Sequence, residues 1–488
     1  MSQNLFKSTS LMENELKSLM AEFDSAGQSQ VFKYFGELGE SQRQALLEQL
    51  SKVDLKELES LVDTLVLKES KADKLDAENL KPAAFIPLAK SKDSDPEWLN
   101  AKKVGEAAIR RGELAAFVVA GGQGTRLGFD HPKGLFKISP VKSKSLFQIF
   151  AEKIIFAQKK YGVQIPWLIM TSHINDAETR AFFKENSFFG LNPENVLFFT
   201  QGLMPAVDKS GKIILADKGK IAMTPDGHGG CLRAMVRSGA IERMRAMGVK
   251  YLSYFQVDNP LVDIIDPYFL GFHILGESQM SSKMIPKAYA GEKVGHFCLR
   301  DGKLCVIEYS DLPDKLKNMT NSDGSLTFKA GSVAIHILDV DFIELLGSGT
   351  CGKKLPFHRA DKKIPYLGDS GEIVKPETPN GIKFEMFVFD ALEVAKNPVI
   401  IEGSRCDEFS PVKNAEGVDS PATCRRDQKR QFARWLRAAG VNLELGEDGA
   451  PVWDIEISPL FATNEADFVA KWNALPAKPD ICKGFYLE

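Results

Sequence analysis

The sequence predicts an α/β protein in which a largely parallel sheet carries helices on both faces. Short apolar, β-rich runs recur from about Leu114 onward, and segments with helical spacing separate them. The length, 488 residues, exceeds one ordinary hydrophobic core and calls for two or three domains.

Residues 1 to about 95 read as helical, because Leu46, Leu47, Leu50, Leu55, Leu58, Leu61 and Leu65 recur at spacings near three and four. Pro82, Pro87 and the polar stretch Ser91 to Pro96 interrupt that pattern, and a boundary is expected there. Strands are expected at LAAFVVA from Leu114, WLIMT from Trp167, VLFF from Val196 and YLSYFQV from Tyr251. Between them, Leu146, Ile149, Phe150, Ile154 and Phe156 give Ser145 to Tyr161 a helical face, and Gly229 to Gly248 reads as a second crossover helix. Ligands on such sheets gather beyond the carboxyl ends of the strands. After about Ala395 the alternation weakens, and Ser420 to Gly440 reads as a basic helix. The expected division is a helical N-terminal domain at 1–95, an α/β core at 96–395 and a small C-terminal domain at 396–488.

Composition excludes several classes. Apolar residues at 44% and charged residues at 26% are ordinary globular values. A net charge of −3 supplies no basic field for a nucleic-acid backbone, so phosphate binding must come from local groups. The first residues, MSQNLFKSTSL, contain no apolar signal core, and the longest apolar run, Leu114 to Ala120, is too short to span a bilayer. A cytoplasmic protein with neither membrane nor nucleic-acid partner is expected. The seven cysteines lack CxxC spacing and the seven histidines form no HExxH, which points away from a disulfide framework or a zinc site.

The strongest motif is Ala120-Gly121-Gly122-Gln123-Gly124-Thr125-Arg126-Leu127-Gly128, followed by Pro132-Lys133-Gly134 and placed directly after a predicted strand. Glycines there remove Cβ atoms that would block backbone approach to a nucleotide, and their amides can form an anion-binding nest. Arg126 and Lys133 add two cations. The string is no Walker A loop, which needs GxxxxGK[ST], and no dinucleotide fingerprint, because Leu127 stands where the third glycine belongs. A purely structural glycine turn is the competing reading.

With this string the chain resembles the eukaryotic-type UDP-N-acetylglucosamine pyrophosphorylases, within the wider UDP-sugar pyrophosphorylase family. The resemblance continues through PWLIMTS from Pro166, FFTQGLMPA from Phe198, MTPDGHGG from Met223, VDNPLV from Val257, PNGIKFEMFVFD from Pro379 and DEFSPVKNAEG from Asp407, in unbroken order over roughly residues 100 to 440. It implies a GT-A-like nucleotidyltransferase core with smaller flanking domains. It further implies a reaction in which UTP and a sugar 1-phosphate, N-acetylglucosamine 1-phosphate favoured, give a UDP-sugar and pyrophosphate.

By matched position, the resemblance puts Gly121, Gly122, Gly124, Thr125 and Arg126 on the nucleotide-binding loop, Lys133 on the UTP phosphates and Gln201 on uracil. A carboxamide suits that base, which shows both a donor and acceptors along one edge. Asp258 falls on the metal-binding aspartate, with Mg²⁺ as the cofactor; a carboxylate at a strand tip can hold a hard cation, or merely cap the next turn. Lys413 falls on a lysine at the sugar phosphate, so that Arg126, Lys133 and Lys413 form the catalytic cations. Gly227, His228, Glu308, Ser332, Phe387 and Phe389 fall on the sugar side, with Gly227 also beside the nucleotide; the two phenylalanines equally fit plain core packing. His228 and Ser332 each stand where the family has asparagine. A glucose-preferring or broad relative is the alternative enzyme. A GT-A-like binding protein without catalysis would be expected to lack Arg126, Lys133, Asp258 or Lys413, and all four are present.

Overall fold

The structure, a computed structural model, describes residues 16–68 and 79–488. Parts of the expected N-terminal domain, 1–15 and 69–78, lie outside the described residues. The described residues separate into two compact units: one combines 16–68, 202–230 and 355–388, and the other 79–201, 231–354 and 389–488.

Ten strands of the second unit form one mixed sheet: β1 (Leu80–Pro82), β2 (Leu114–Val119), β3 (Trp167–Thr171), β4 (Val196–Thr200), β5 (Tyr251–Gln256), β6 (Met280–Pro286), β7 (Gly295–Arg300), β8 (Lys303–Ile307), β9 (Ala330–Asp339) and β10 (Val399–Glu402). Their order is β1-β7-β9-β5-β2-β3-β4, with β8 paired to β7, and β6 paired to β9 and β10. β5, β2, β3 and β4 run parallel, as the alternating sequence predicts. Beyond β5 the sheet departs from that prediction: β9 pairs antiparallel with β5, β6 and β7, so the sheet is mixed. Hairpin-linked strands such as β7 and β8 need no crossover helix, and here only Asp301 and Gly302, both with positive φ, separate them.

Each parallel strand is buried along nearly its whole length, β2 and β3 completely. Alternation still sorts their side chains. Ala116, Val118 and Ile169 join the main core with helices α1 (Pro96–Arg110), α2 (Leu146–Tyr161) and α5 (Pro267–Leu275). On the other face Phe117 stacks on Phe199 and meets the Tyr254 ring edge-on. Helix α1 begins because Asp95 accepts the amides of Glu97 and Trp98 while Pro96 holds the first helical position. It packs on α5 through two glycines. A Cβ on Gly105 would lie 1.9 Å from the Pro267 carbonyl oxygen, and one on Gly271 would lie 1.8 Å from that of Ala101.

The segment Gly229 to Gly248, expected as one helix, forms two: α4 (Cys231–Arg237) and a second turn of helix at Ala240–Ala246. Gly239 breaks them with φ +74°, a conformation that ends a right-handed helix. Residues 79–95, expected within a helical domain, form no helix: they pair β1 with β7, bridge Ile86 to Ile401 and turn at 92–94. Helices α3 (Asp176–Glu185), α6 (Val340–Ser348), α7 (Pro421–Ala438) and α8 (Glu465–Ala474) complete the described long helices of this unit.

In the first unit, residues 16–25 and Glu40–Leu50 and Leu55–Leu61 are helical, as expected. They do not stand alone. The Gln28 carboxamide donates to the Gly211 carbonyl at 2.9 Å and accepts the Ile213 amide at 2.8 Å, and Val62 lies where a Gly211 Cβ would be. The sheet here is small, with His358–Lys362, Gly381–Glu385 and Val207–Asp208 side by side. This grouping differs from three consecutive domains. Residues beyond 420 do build a hydrophobic cluster of their own around Trp435, Phe468 and Trp472, yet a buried Lys144–Glu152 pair at 2.6 Å, with Ser458 on both, ties them to the large sheet's unit.

Candidate active site

The site residues of the second unit meet because four parallel strands end together. Gln256, Val119, Met170 and Phe199 form one row of the sheet. Two residues further along each segment, just past the strand ends, stand Asp258, Gly121, Ser172 and Gln201. Backbone bonds continue past the strand ends and keep these segments level: Val257 N–H donates to Val119, Ala120 N–H to Met170 and Gln201 N–H to Thr171. A Cβ on Gly121 would lie 3.0 Å from Gln201 Oε1 and 3.5 Å from Ser172 Cβ.

The glycine loop closes on itself. Gly124 N–H donates to His131, Leu127 N–H to Gly124, Gly128 N–H to Thr125 and Lys133 N–H to Gly122. Asn175 supports it from below, its amide nitrogen 2.9 Å from the Ala120 carbonyl. These bonds divide the four glycines by task. Gly124 is required by the turn, since a Cβ would meet Phe129 at 2.7 Å, and Gly128 supplies φ +69°. Gly121 and Gly122 keep amides not engaged within the loop, and nothing lies within 4 Å of a Gly122 Cβ. The nest expected of all four glycines therefore narrows to these two. Thr125 and Arg126 are exposed on the short helical turn Thr125–Leu127.

Lys133 and Asp258 are brought together, Nζ to Oδ2 at 3.8 Å, each side chain less than one-fifth exposed. Lys413 arrives on a loop that one backbone bond and the Asn259 side chain fix to the segment after β5. The Val412 amide donates to the Asp258 carbonyl at 2.8 Å, while Asn259 gives its amide N–H to the Glu408 carbonyl at 2.7 Å and takes the Ser410 amide at 3.1 Å. The Lys413 and Asn414 amides both donate to the Asp419 carbonyl. Burial pushes the Asp419 carboxyl up, Lys413 pulls it down and Asp258 pushes it up again, so the three charges share one neighbourhood.

Beneath that loop lies a buried ion cluster. Lys283 on β6 contacts Asp266, the N-cap of α5, at 2.6 Å, and also Glu408. Burial works against the ammonium, but Asp266, Glu408 and Asp263 outweigh it and hold Lys283 above the ordinary lysine range. Ser172, Asn175, Asn259 and Lys283 were not singled out by sequence reasoning. Ser172 and Asn259 are legible in hindsight, each lying in a motif, one and three residues past a strand end; Asn175 and Lys283 carry no such signal.

The expected sugar-side residues fall in both units. In the first, Gly227 has φ +84° and presses on Met386, whose carbonyl oxygen would be 2.3 Å from a Gly227 Cβ. His228 stacks on Phe387 at 5.4 Å and Phe387 on His358 at 4.7 Å. The Val388 amide donates to His228 Nδ1 at 3.3 Å, which leaves the proton of a neutral ring on Nε2. Phe387 is half-buried in this stack. In the second unit Phe389 is buried, Glu308 directly follows β8 with its carbonyl accepting the Asp311 and Leu312 amides, and Ser332 sits on β9 between Met284 and Gly295. Beside Ser332, Lys287 Nζ lies 2.7 Å from His296 Nε2; burial first, and then this neighbouring charge, push the His296 imidazole down to about 4.

Among the described residues no cluster of three or more His, Cys, Asp or Glu side chains could hold a metal, and no helix is long and apolar enough to cross a membrane. A divalent cation here would have Asp258 as its protein ligand, with oxygens of a bound phosphate completing the shell.

An open mixed sheet with polar and glycine-rich loops at the carboxyl edge of its parallel strands defines an α/β protein built to bind a ligand at that edge. The model of the family UTP–glucose-1-phosphate uridylyltransferase matches residues 55–418, and the chain belongs to this family. It is 38% identical over 444 residues to UDP-N-acetylhexosamine pyrophosphorylase-like protein 1 of Xenopus tropicalis, covering 88% of this chain and 86% of that one. It is 37% identical over 442 residues to UDP-N-acetylglucosamine pyrophosphorylase of Saccharomyces cerevisiae, covering 87% and 92%. Among solved structures it resembles the uridine diphosphate N-acetylglucosamine pyrophosphorylase from Trypanosoma brucei, with TM-score 0.78 and 27% identity over 97% of this chain and 98% of that one.

Proposed function

We propose that the protein is a uridylyltransferase that joins UTP to a sugar 1-phosphate, with N-acetylglucosamine 1-phosphate its favoured sugar substrate, and releases pyrophosphate. The observation that carries this reading is the meeting of Lys133 and Asp258 at 3.8 Å beside the Gly121–Gly122 backbone, with Gln201 in the same row. The names of the relatives support the same chemistry, as does a GT-A-like reading of the core.

In this mechanism an oxygen of the sugar phosphate attacks the α-phosphorus of UTP in line. The new P–O bond forms as the bond to the β-phosphate breaks, and pyrophosphate leaves with the electron pair. Two anions must approach each other, so the chain's task is neutralisation and alignment: Lys133 and Arg126 on the nucleotide phosphates, Lys413 on the sugar phosphate. Mg²⁺ at Asp258 supplies further charge neutralisation when bound. Gln201 holds the base, and within the second unit Glu308, Ser332 and Phe389 serve the sugar side. No side chain is needed as a covalent nucleophile. A cytoplasmic setting belongs to the same proposal, supported by described cysteines that are all free thiols.

The test is pyrophosphate release from UTP with a panel of sugar 1-phosphates. Turnover with N-acetylglucosamine 1-phosphate well above glucose 1-phosphate is expected. The pair His228→Asn with Ser332→Asn should raise that preference, measured as the ratio of the two kcat/KM values. Turnover with glucose 1-phosphate alone would keep the uridylyltransferase and remove the amino-sugar assignment; no pyrophosphate from any sugar phosphate would remove both.

A further inference from the structure

Ser172 is the one member of the Asp258–Gly121–Ser172–Gln201 row to which no task has been assigned. Its backbone is fully occupied. The amide donates to Asn175 Oδ1 at 2.7 Å, and the carbonyl accepts the amides of Asn175 and Asp176. Its hydroxyl is different: the residue is only 6% exposed, and Oγ is buried without a hydrogen-bond partner. An orphaned hydroxyl of this kind has a desolvation cost that nothing in the fold offsets. Hydroxyls in the same strands do find partners. Thr171, one residue earlier and on the opposite face, bonds Asp176 at 2.6 Å and Phe199 at 3.2 Å.

The direction of Ser172 is set by its neighbours. Ser172 Cβ and Gln201 Oε1 both lie within 3.5 Å of the point a Gly121 Cβ would occupy, so the serine and the glutamine flank the same glycine. Next to it, the space over Gly122 is open. A planar ring edge set against Gly121 would reach both side chains, and a glycine at that point is what such close approach requires.

We infer that Ser172 is a base-reading residue: its hydroxyl bonds the edge of the uracil ring beside Gln201 and contributes to selection of a uridine nucleotide. This rests on the uridylyltransferase reading and deepens it at the nucleotide side. A hydroxyl left unpaired in the free protein and paired in the complex also ties base recognition to a stability cost in the empty state.

Calorimetric titration of the full chain with UTP and with CTP separates the two readings, since binding is measured without turnover. Ser172→Ala should weaken UTP binding by roughly 3- to 10-fold, the range of one neutral hydrogen bond, and should weaken CTP by less. The melting temperature of the free variant should equal or exceed that of the wild type, because an unsatisfied hydroxyl has been removed. Ser172→Cys, close in volume and a poor hydrogen-bonder, should shift UTP in the same direction, and Ser172→Thr should restore it. UTP binding unchanged in both the Ala and Cys variants, or equal losses for UTP and CTP, overturns the inference. Wild-type protein that fails to bind UTP would instead overturn the functional reading on which it rests.

Discussion

Lys133 and Asp258 form an ion pair whose geometry suits exchange better than permanence. At 3.8 Å and partly exposed, the contact is looser than the buried 2.6 Å Lys144–Glu152 pair. Both groups are therefore free to turn to a triphosphate and its cation at little cost. Lys133→Ala should reduce turnover by roughly 10²- to 10³-fold while the fold survives, the usual effect of removing one electrostatic stabiliser from a reacting phosphate. Near-normal turnover at saturating UTP would show that Lys133 does not serve the triphosphate. Asp258→Asn keeps the shape but replaces a hard anionic oxygen with an amide, so activation by Mg²⁺ should weaken together with activity. An unchanged Mg²⁺ titration of the variant would place the cation elsewhere.

At the scale of elements, the loop bearing Lys413 is positioned by what lies beneath it. Lys283 reaches from β6 to Glu408, and Glu408 in turn precedes the Phe409–Lys413 stretch that Asn259 clamps to the end of β5. Lys283→Met would remove the one ammonium seen in direct contact with both buried carboxylates, Asp266 and Glu408. A loss of about 3–5 kcal/mol in unfolding free energy is expected, as for other buried pairs broken on one side. The companion Lys283→Met, Glu408→Leu, Asp266→Asn should recover much of that stability without recovering turnover, which denaturant titration beside an activity assay will show. The strand from Tyr251 was readable from its apolar run, whereas the ion cluster and the elements that carry Lys283 and Asp266 were not. Lys283 lies in a strand among apolar neighbours and looks like any surface lysine until β6 is known to be covered by α5 and β10. The same limit explains the antiparallel β9: alternation reports that a strand is half or fully buried, but not the direction of the partner beside it. It also explains Gly229 to Gly248, where helical spacing persists through Gly239 and only the positive φ reveals the break.

For the whole molecule, the site was more legible than the division of the chain. Motif residues sit at strand ends, so Gly121, Gln201 and Asp258 could be placed by reading one strand at a time. Units built from three separated segments cannot be read that way, because the packing of residues 28 and 62 on residue 211 leaves no local signal. Global stability should carry an acid contribution from His296, opposed in part by Asp263, whose carboxyl burial pushes up to about 6. His296 takes up a proton near the ordinary histidine value of about 6.5 when unfolded, but only at about 4 in the folded chain, beside Lys287 and with Lys317 nearby. Between those values His296 binds more protons in the unfolded state, so its contribution to stability should fall as pH drops from about 6.5 to about 4, and should level off below that. The loss is at most about 3 kcal/mol, and His296→Gln should remove most of it in pH-dependent unfolding.

The row formed by Asp258, Gly121, Ser172 and Gln201 has a further consequence, in the order of events during folding. Its members come from strands whose closest pairing partners are separated by some 30 to 140 positions of chain, and the row exists only after all four strands are in register. Long-range pairings of this kind form late and slowly, because each must first close a large loop. An incompletely paired intermediate therefore lacks a nucleotide site. UTP, having nothing to bind before the end, should leave the refolding rate almost unchanged and act instead by slowing departure from the native state.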